Sequence, residues 1–287
     1  MTNHSVLIAD CGATKCEWAR TQGSGQTSWS ASRGFNPNVL PEAEIKKLLY
    51  EAAEVNQWLT DVPGSIYFFG AGCGTAHGNA SVTRSLQEIF PQASIQVQND
   101  IMGAALALYH EKPIVACILG TGSASLYFDG QSPRPLRASL GWTIGDEGGG
   151  CAIGKRVLRN VFYQLWPRTV IDAFYEQYPG FTVEKYLQTM REDTAPNRFL
   201  ATFAPFASKY IHVPEVRQEV YEELETFVRW QVTPFCAEYN CEAAFCGSVA
   251  HYFADILRDI CKKNGTGTGK IIAKPLTELV DKLALRA

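Results

Sequence analysis

The sequence has no apolar run of 18 or more residues and no strong excess of charge of either sign. Its formal net charge of -3 over 287 residues gives no reason to expect nucleic acid as a partner. The lack of a long apolar run argues against a membrane-spanning helix. The chain does not open with a basic segment followed by an apolar stretch, so no secretory signal is expected. We therefore expect a cytoplasmic protein without nucleic-acid or membrane partners.

Several common nucleotide-binding and catalytic motifs are also missing. No run matches GxxxxGK followed by Ser or Thr, and no GxGxxG follows a strand convincingly. These absences disfavour the P-loop and Rossmann modes of nucleotide binding. Neither HExxH nor GxSxG occurs. If the protein binds a nucleotide, the binding elements must come from another pattern.

Cysteine is present nine times, an odd number, but no CxxC pair occurs. Zinc sites and disulfide frameworks normally show closer or repeated spacing. We expect most of these residues to be reduced thiols that act as small buried apolar groups. A cluster assembled from cysteines distant in sequence remains an alternative. The positions are Cys11, Cys16, Cys73, Cys117, Cys151, Cys236, Cys241, Cys246 and Cys261.

Two glycine-containing turns dominate what is present. Residues 6–20, VLIADCGATKCEWAR, and residues 114–128, IVACILGTGSASLYF, each predict a strand, a tight turn and a returning strand. Either turn alone is more typical of an ordinary β-hairpin. Their joint occurrence, with Asp10 in one and GTGS in the other, favours two backbone nests for phosphate oxygens.

The remaining pattern alternates strands with helices. It predicts two α/β lobes with a cleft between them, the first over residues 1–105 plus 274–287 and the second over 106–273. A helical layer over 169–234 is assigned no chemistry. The predicted strands outside the hairpins are 26–31, 65–71, 94–97, 243–246 and 270–273, and the main predicted helices are 79–90, 99–108, 170–178, 183–190, 198–211, 215–232 and 249–261.

Polar residues at three junctions are candidates for a functional site. Asp100 follows a strand and opens a helix, where a helix cap and a catalytic role are equally consistent with the sequence. Asp146 and Glu147, in the glycine-rich run GWTIGDEGGGCAIG, suit either a helix dipole or the recognition of hydroxyl groups. Gly247 and Ser248 join a strand to a helix, as an ordinary connection or as a nucleotide contact.

These motifs resemble those of the actin, sugar kinase and Hsp70 ATPase superfamily. Within it the chain is most similar to the BadF/BadG/BcrA/BcrD family, in the branch that includes N-acetylglucosamine kinases. DCGATK at 10–15 resembles the first phosphate motif and GTGS at 120–123 the second. NDIMGAALAL at 99–108 resembles the segment with the catalytic Asp, LGWTIGDEGGGCAIGK at 140–155 the branch's GDEGS run, and FCGSVA at 245–250 the adenosine motif.

The resemblance implies a fold class and a set of roles. It implies two RNase-H-like lobes of the actin-like ATPase kind, with ATP and Mg²⁺ in the cleft between them, and related kinases are often homodimers. Asp100 would be the catalytic base and Asp10 would orient Mg²⁺. The implied nucleotide contacts are Gly12, Ala13, Thr14, Lys15, Gly120, Thr121, Gly122, Gly247 and Ser248, and the implied sugar contacts are Asn36, Asp146 and Glu147.

The expected activity is ATP-dependent phosphorylation of an amino sugar, most simply N-acetylglucosamine at its 6-OH. One alternative is an ATPase coupled to electron transfer, like the dehydratase and reductase activators of the same family, which hold an iron–sulfur cluster between subunits through Cys. Another alternative is a sensor of sugar or nucleotide that keeps the fold without turnover. The retention of both Asp10 and Asp100 favours an enzyme over a sensor.

Overall fold

The structure, a computed structural model, describes residues 5–22 and 25–284. The chain divides into two compact units. Unit 1 runs to Leu108 and takes up the chain again from Lys274, and unit 2 is Tyr109–Ala273. The boundary that the sequence predicts, at 105–106, lies three residues before this division.

Each unit contains a mixed five-stranded sheet, and the two sheets have the same strand order. In unit 1 the order is β3-β2-β1-β4-β5, and in unit 2 it is β8-β7-β6-β9-β10. The strands are β1 (Val6–Cys11), β2 (Lys15–Thr21), β3 (Thr27–Arg33), β4 (Ser65–Gly70), β5 (Ser94–Asn99), β6 (Ile114–Leu119), β7 (Ser123–Phe128), β8 (Pro133–Pro135), β9 (Glu242–Cys246) and β10 (Thr268–Ile272).

The two predicted hairpins supply the centre of each sheet. β1 pairs antiparallel with β2 and parallel with β4, and β6 pairs in the same way with β7 and β9. Both central strands are almost entirely buried, which matches their continuous apolar sequence. The two predicted hairpins are therefore confirmed, and they occupy equivalent places in the two sheets.

Helices pack on these sheets, and those of unit 2 include the predicted helical layer. Within the described part of the chain, no helix combines the length and apolar character needed to cross a bilayer. The helices are α1 (Glu42–Val55), α2 (Ala76–Ile89), α3 (Asp100–Leu108), α4 (Gly141–Ile144), α5 (Gly150–Phe162), α6 (Arg168–Gln177), α7 (Val183–Glu192), α8 (Pro196–Ala201), α9 (Ala204–Lys209), α10 (Pro214–Phe227), α11 (Thr233–Tyr239), α12 (Ser248–Tyr252), α13 (Ala254–Lys263) and α14 (Leu276–Leu283).

Two segments that the sequence predicts as single helices are divided in the structure, one of them at a proline. The segment predicted over 198–211 breaks into α8 and α9, because Pro205 has no N–H to donate to the carbonyl of Ala201. The helix predicted over 215–232 ends as α10 at Phe227 and continues as a π-helical turn, Val228–Val232. Arg137 Nε donates to the Trp230 carbonyl of this turn at 2.9 Å.

Candidate functional site

The first phosphate-type turn, in unit 1, joins β1 to β2. The Gly12 N–H donates to the Lys15 carbonyl at 2.9 Å and closes the turn. The Gly34 N–H donates to the Thr14 carbonyl at 2.9 Å, so the loop after β3 lies directly on the turn. A Cβ at position 34 would lie 2.1 Å from the Gly12 oxygen. Gly12 therefore shapes the turn with its N–H, and Gly34 allows the close approach of the next loop.

Asn36 lies in a hydrogen-bonded network between two loops of unit 1. Its Oδ1 accepts from the Asn38 N–H at 2.9 Å, and Asn38 Nδ2 donates to the Gly72 carbonyl at 3.0 Å. Thr75 Oγ1 donates to Asn38 Oδ1 at 2.7 Å. Gly72 has φ +84°, and a Cβ there would lie 2.2 Å from Asn36 Oδ1. Sequence reasoning did not single out Asn38 and Thr75 as members of this network. The sequence feature that could have indicated them is their position in turn-rich loops that follow strands.

The carboxyl ends of three parallel strands bring Asp10 and Asp100 to one edge of the first sheet. The register aligns Cys11 of β1 with Gly70 of β4, and Gly70 with Asn99 of β5. Asp10 is the residue before Cys11 in β1, and Asp100 is the residue after Asn99. Two carboxylates that are 90 residues apart in sequence therefore share one end of the sheet.

The helix-capping role that the sequence left open at Asp100 is performed by its neighbour. Asn99 Oδ1 accepts from the Met102 N–H at 3.1 Å, which is the geometry of an N-terminal cap. Asp100 Oδ1 accepts from the Ile101 N–H at 2.9 Å. Because Asn99 supplies the cap, capping alone does not account for a carboxylate at position 100.

The charges around Asp10 are mostly negative. Burial raises the pKa of Asp10 to about 7, with further contributions from Asp100 and Glu17 and an opposing one from Lys274. Lys15 and Lys274 both contact Glu17 Oε1, at 2.6 Å and 2.7 Å. A buried carboxylate beside other carboxylates is the donor set that a divalent cation stabilises. Mg²⁺ in proteins is usually held by one or two carboxylates together with waters and phosphate oxygens, so Asp10 stays a predicted contact for this ion.

The second phosphate-type turn, in unit 2, joins β6 to β7. The Gly120 N–H donates to the Gly122 carbonyl at 3.0 Å. Two N–H groups at the start of α5 donate into the same turn, from Gly150 to the Gly120 carbonyl at 2.8 Å and from Cys151 to the Thr121 carbonyl at 2.9 Å. The glycine-rich run that the sequence singled out is thus bonded to the second turn through its backbone.

Asp146 also lies against this turn. Its backbone has φ +59°, and its carboxylate accepts a hydrogen bond from the Ser123 backbone. A Cβ at Gly122 would lie 2.5 Å from Asp146 Oδ2. Burial raises the pKa of Asp146, with Glu147 adding to the effect. Asp146 therefore supports the second turn, while sugar contacts by Asp146 and by the half-buried Glu147 stay predictions.

A pocket of about 170 Å³ opens beside the second turn. Gly247, at φ +118°, packs against the end of β6, where a Cβ would lie 2.3 Å from the Leu119 oxygen, and Ser248 lines the pocket. Sequence reasoning missed the contribution of α8 and α9, although their small residues recur at helical spacing. The lining residues are Gly120, Thr121, Gly150, Ala201, Ala204, Pro205, Ser208, Ser248, Val249, Tyr252 and Phe253.

The cysteines are free thiols. Eight of them are buried, and Cys241 is partly exposed. Across residues 5–22 and 25–284, no three His, Cys, Asp or Glu side chains cluster so that they could hold a metal ion. The expectation that most cysteines are small buried groups is confirmed.

No protein-family model matches the chain, and a search of curated proteins also finds no match. Solved structures do match. A Porphyromonas gingivalis protein provisionally named an N-acetylglucosamine kinase has TM-score 0.89 and 30% identity, over 96% of this chain and 97% of that one. A Chromobacterium violaceum protein of the same provisional name has TM-score 0.71 and 15% identity, over 97% and 98%. A Streptomyces griseus ROK family glucokinase, in complex with glucose and AMPPNP, has TM-score 0.58 and 12% identity, over 98% of each chain.

Proposed function

The chain belongs to the sugar-kinase family of the actin-like ATPase fold, and from this we propose that it transfers the γ-phosphoryl group of ATP to an amino sugar. The substrate proposed is N-acetylglucosamine, phosphorylated at its 6-OH. The observation that carries this proposal is the similarity, at 30% identity over nearly the full length, to the protein from P. gingivalis. The motif resemblance to the BadF/BadG/BcrA/BcrD branch points to the same substrate.

In unit 1 the proposed roles follow from the sheet edge. Asp10 would hold Mg²⁺, and backbone groups at Ala13, Thr14 and Lys15 would contact phosphate. The metal would neutralise phosphate charge when bound, which phosphoryl transfer requires. The raised pKa of Asp10 supports this role, because a group that resists ionisation when alone gains most from a cation.

In unit 2 the proposed roles follow from the turn and its pocket. Backbone N–H groups of the 120–122 turn would hold phosphate oxygens, as nests of this kind do. The pocket beside the turn would take the adenine and ribose, since it is mostly apolar and carries the hydroxyls of Ser208 and Ser248. Gly247 would keep the backbone close to the nucleotide.

The chemistry needs one proton transfer and one displacement. The Asp100 carboxylate accepts the proton of the sugar hydroxyl, the hydroxyl oxygen bonds to the γ-phosphorus, and the bond between that phosphorus and the ADP oxygen breaks. The products are the sugar phosphate and ADP. Asn36, Asp146 and Glu147 are the proposed contacts for the sugar hydroxyls and the acetamido group.

The experiment that tests the proposal measures ADP release by the purified protein with ATP and Mg²⁺, alone and with a panel of hexoses, hexosamines and N-acetylated sugars. Stimulation by N-acetylglucosamine, together with formation of its 6-phosphate, is expected. Stimulation by a different sugar would keep the kinase and change its substrate. ATP hydrolysis that no sugar affects would overturn the proposal in favour of the activator-type ATPase.

Replacing Asp100 by Asn tests the assignment of the base. We expect sugar-dependent ADP release to fall by about 10²- to 10⁴-fold, the range typical of lost general-base catalysis. An Asn side chain can still accept from the Ile101 N–H, so the fold should be retained. Full activity in the Asn variant would show that another group takes the proton. A matched control is Asn79→Ala, which removes a side-chain bond from Nδ2 to the Val97 carbonyl on the same sheet.

The burial of the thiols favours a kinase over the electron-transfer alternative. A cluster shared between subunits needs cysteines at the surface of each subunit, whereas eight of the nine here are buried. A brown, iron-containing purified protein would contradict this reading.

A further inference from the structure

One carboxylate of α10 contacts the glycine-rich loop that leads into α5. Glu223 Oε1 accepts from the Gly148 N–H at 3.1 Å, and its Oε2 accepts from Arg156 Nε at 2.7 Å. The Glu223 side chain is only 13% exposed. A charge-assisted bond at such a buried place is strong and geometrically specific. Glu223 therefore joins α10 to the loop backbone at a defined point.

The loop in turn fixes the second phosphate-type turn. Gly148, at φ +72°, packs beside Phe227 and Leu119. The next residue, Gly149, lies so close to the turn that a Cβ there would be 2.8 Å from Gly122 Cα. The N–H groups of Gly150 and Cys151 then donate into the turn, as described above. A displacement of Gly148 would consequently be transmitted to the turn by direct packing.

Arg156 distinguishes Glu223 from its neighbours on α10. The Arg156 guanidinium contacts three carboxylates, with Glu219 at 2.7 Å and Glu222 at 3.1 Å besides Glu223. These contacts raise the pKa of the Arg156 guanidinium against the effect of burial. Of the three, Glu223 is the one that also accepts from the loop. Glu219 and Glu222 therefore share the ion-pair network but do not take part in holding Gly148.

We propose that Glu223 is a positioning residue for phosphate binding, acting through Gly148 on the 120–122 turn. This role depends on the proposed function in one respect, which is that the ligand of the 120–122 turn is the phosphate chain of ATP. Loss of the Gly148 bond should weaken binding of the phosphate chain more than binding of the base, because the turn forms only part of the base pocket and α8, α9 and α12 form most of the rest. Even a small displacement of groups that hold a reacting ligand has a large effect on its binding and reaction.

The test uses the full chain and two matched substitutions at position 223. Glu223→Gln keeps an oxygen that can accept from Gly148, whereas Glu223→Met keeps the size and removes the acceptor. Glu219→Met is the control for the ion-pair network. Calorimetry would measure the Kd of AMPPNP and of adenosine for each variant, and the ADP assay would measure the KM for ATP and kcat.

We expect Glu223→Met to weaken AMPPNP binding and raise the KM for ATP by about tenfold, with adenosine binding weakened by a smaller factor. The Gln variant and the Glu219 control should bind AMPPNP close to the wild-type level. Equal loss of AMPPNP and adenosine binding, or no loss of either, would overturn the proposal. If the Met variant does not fold, Glu223→Asp decides, because it keeps the charge but withdraws the oxygen from Gly148.

The outcomes separate this inference from the proposed function. A wild-type protein that binds AMPPNP but phosphorylates no sugar would refute the kinase proposal while leaving the role of Glu223 open to the same binding comparison. That comparison would then confirm or refute the role by itself. A wild-type protein that binds no AMPPNP would refute both.

Discussion

At the scale of single residues, close backbone approaches determine where glycine is needed. A Cβ at Gly34 would meet the backbone of the first turn, and one at Gly154 of α5 would lie 1.9 Å from the Leu200 carbonyl oxygen. In both cases the added Cβ would meet backbone atoms, which cannot move aside as the end of a flexible side chain could. These glycines serve packing between elements, whereas Gly247 and Gly148 also need positive φ.

We predict that Gly34→Ala destabilises the fold and the first turn together. The added methyl would lie 2.1 Å from the Gly12 oxygen and 2.4 Å from the Lys15 nitrogen, so the loop must move away. Overpacking of this kind costs about 1–3 kcal/mol of unfolding free energy. Urea unfolding measures the loss. The control is Gly12→Ala, whose methyl would lie 3.5 Å from the Lys15 oxygen, an ordinary contact; equal stability of the two variants would contradict the argument.

We predict opposite pH effects at two Asp residues of unit 2. Burial raises the pKa of Asp146 above its ordinary 3.8. The folded state therefore holds the Asp146 proton more tightly than the unfolded state does. The resulting stabilisation of the fold is fully present below pH 3.8 and is lost as the pH rises through the folded pKa. Asp146→Asn cannot ionise and should therefore gain stability relative to wild type over that rise.

Asp129 is the comparison for this prediction. The backbone N–H groups of Ser132 and Gln131 lower the pKa of Asp129, so its contribution is present above pH 3.8 and lost as the pH falls through the folded pKa. Asp129→Asn should therefore lose stability relative to wild type above pH 3.8. Urea unfolding over a pH series measures both, and the same sign for the two variants would contradict the assignments.

At the scale of elements, a helix break lies beside the pocket of unit 2. Pro205 separates α8 from α9, and this break places the ends of two short helices, with their small residues, on the pocket beside the second turn. Small residues of both helices line the pocket, and the break shortens each helix to six residues, which the spacing of the segment does not reveal.

We predict that Ser208→Phe fills this pocket and competes with the nucleotide base. Because the pocket measures about 170 Å³, an added aromatic ring would occupy a large part of it. The KM for ATP should rise about tenfold, since a lost base contact removes binding shared by substrate and transition state, and the KM for sugar should stay unchanged. Lys209→Phe, one residue along and outside the lining, is the control. An unchanged KM for ATP in the Ser208 variant would place the base elsewhere.

At the scale of the whole molecule, both units contain a sheet of the same strand order, and the helix that follows unit 2 in sequence belongs to unit 1. α14 belongs to unit 1, where its Leu279 is fully buried. Lys282 Nζ donates to the Leu106 carbonyl at 2.7 Å, near the carboxyl end of α3. The last helix therefore supports the helix whose first residue is Asp100.

We predict that Leu279→Ala lowers the unfolding free energy of unit 1 by about 2–5 kcal/mol, the usual cost of a buried Leu truncation. Leu165→Ala, at a side chain that is 61% exposed, should change stability by less than about 0.5 kcal/mol. Urea unfolding followed by tryptophan fluorescence measures both. A small effect at Leu279 would mean that α14 contributes little to unit 1.

The sequence by itself determined the local elements of this protein. The apolar strands, the two glycine turns and the strand-to-helix junctions at Asp100 and Gly247 follow from patterns of neighbouring residues. Backbone preferences and hydrophobic periodicity act over a few residues, so these patterns can be read without the fold. The same patterns, repeated in order, indicated two α/β lobes, and the motif resemblance to the actin, sugar kinase and Hsp70 ATPase superfamily supplied the RNase-H-like fold class. The assignments of individual site residues stay predictions.

The tertiary structure alone decided which distant residues meet. Strand register brought Asp10 and Asp100 to one sheet edge. Contacts across the fold placed Asp146 on the second turn and Glu223 on Gly148. These contacts join residues about 20 to 90 positions apart in sequence, so they depend on packing between elements, which local periodicity does not encode.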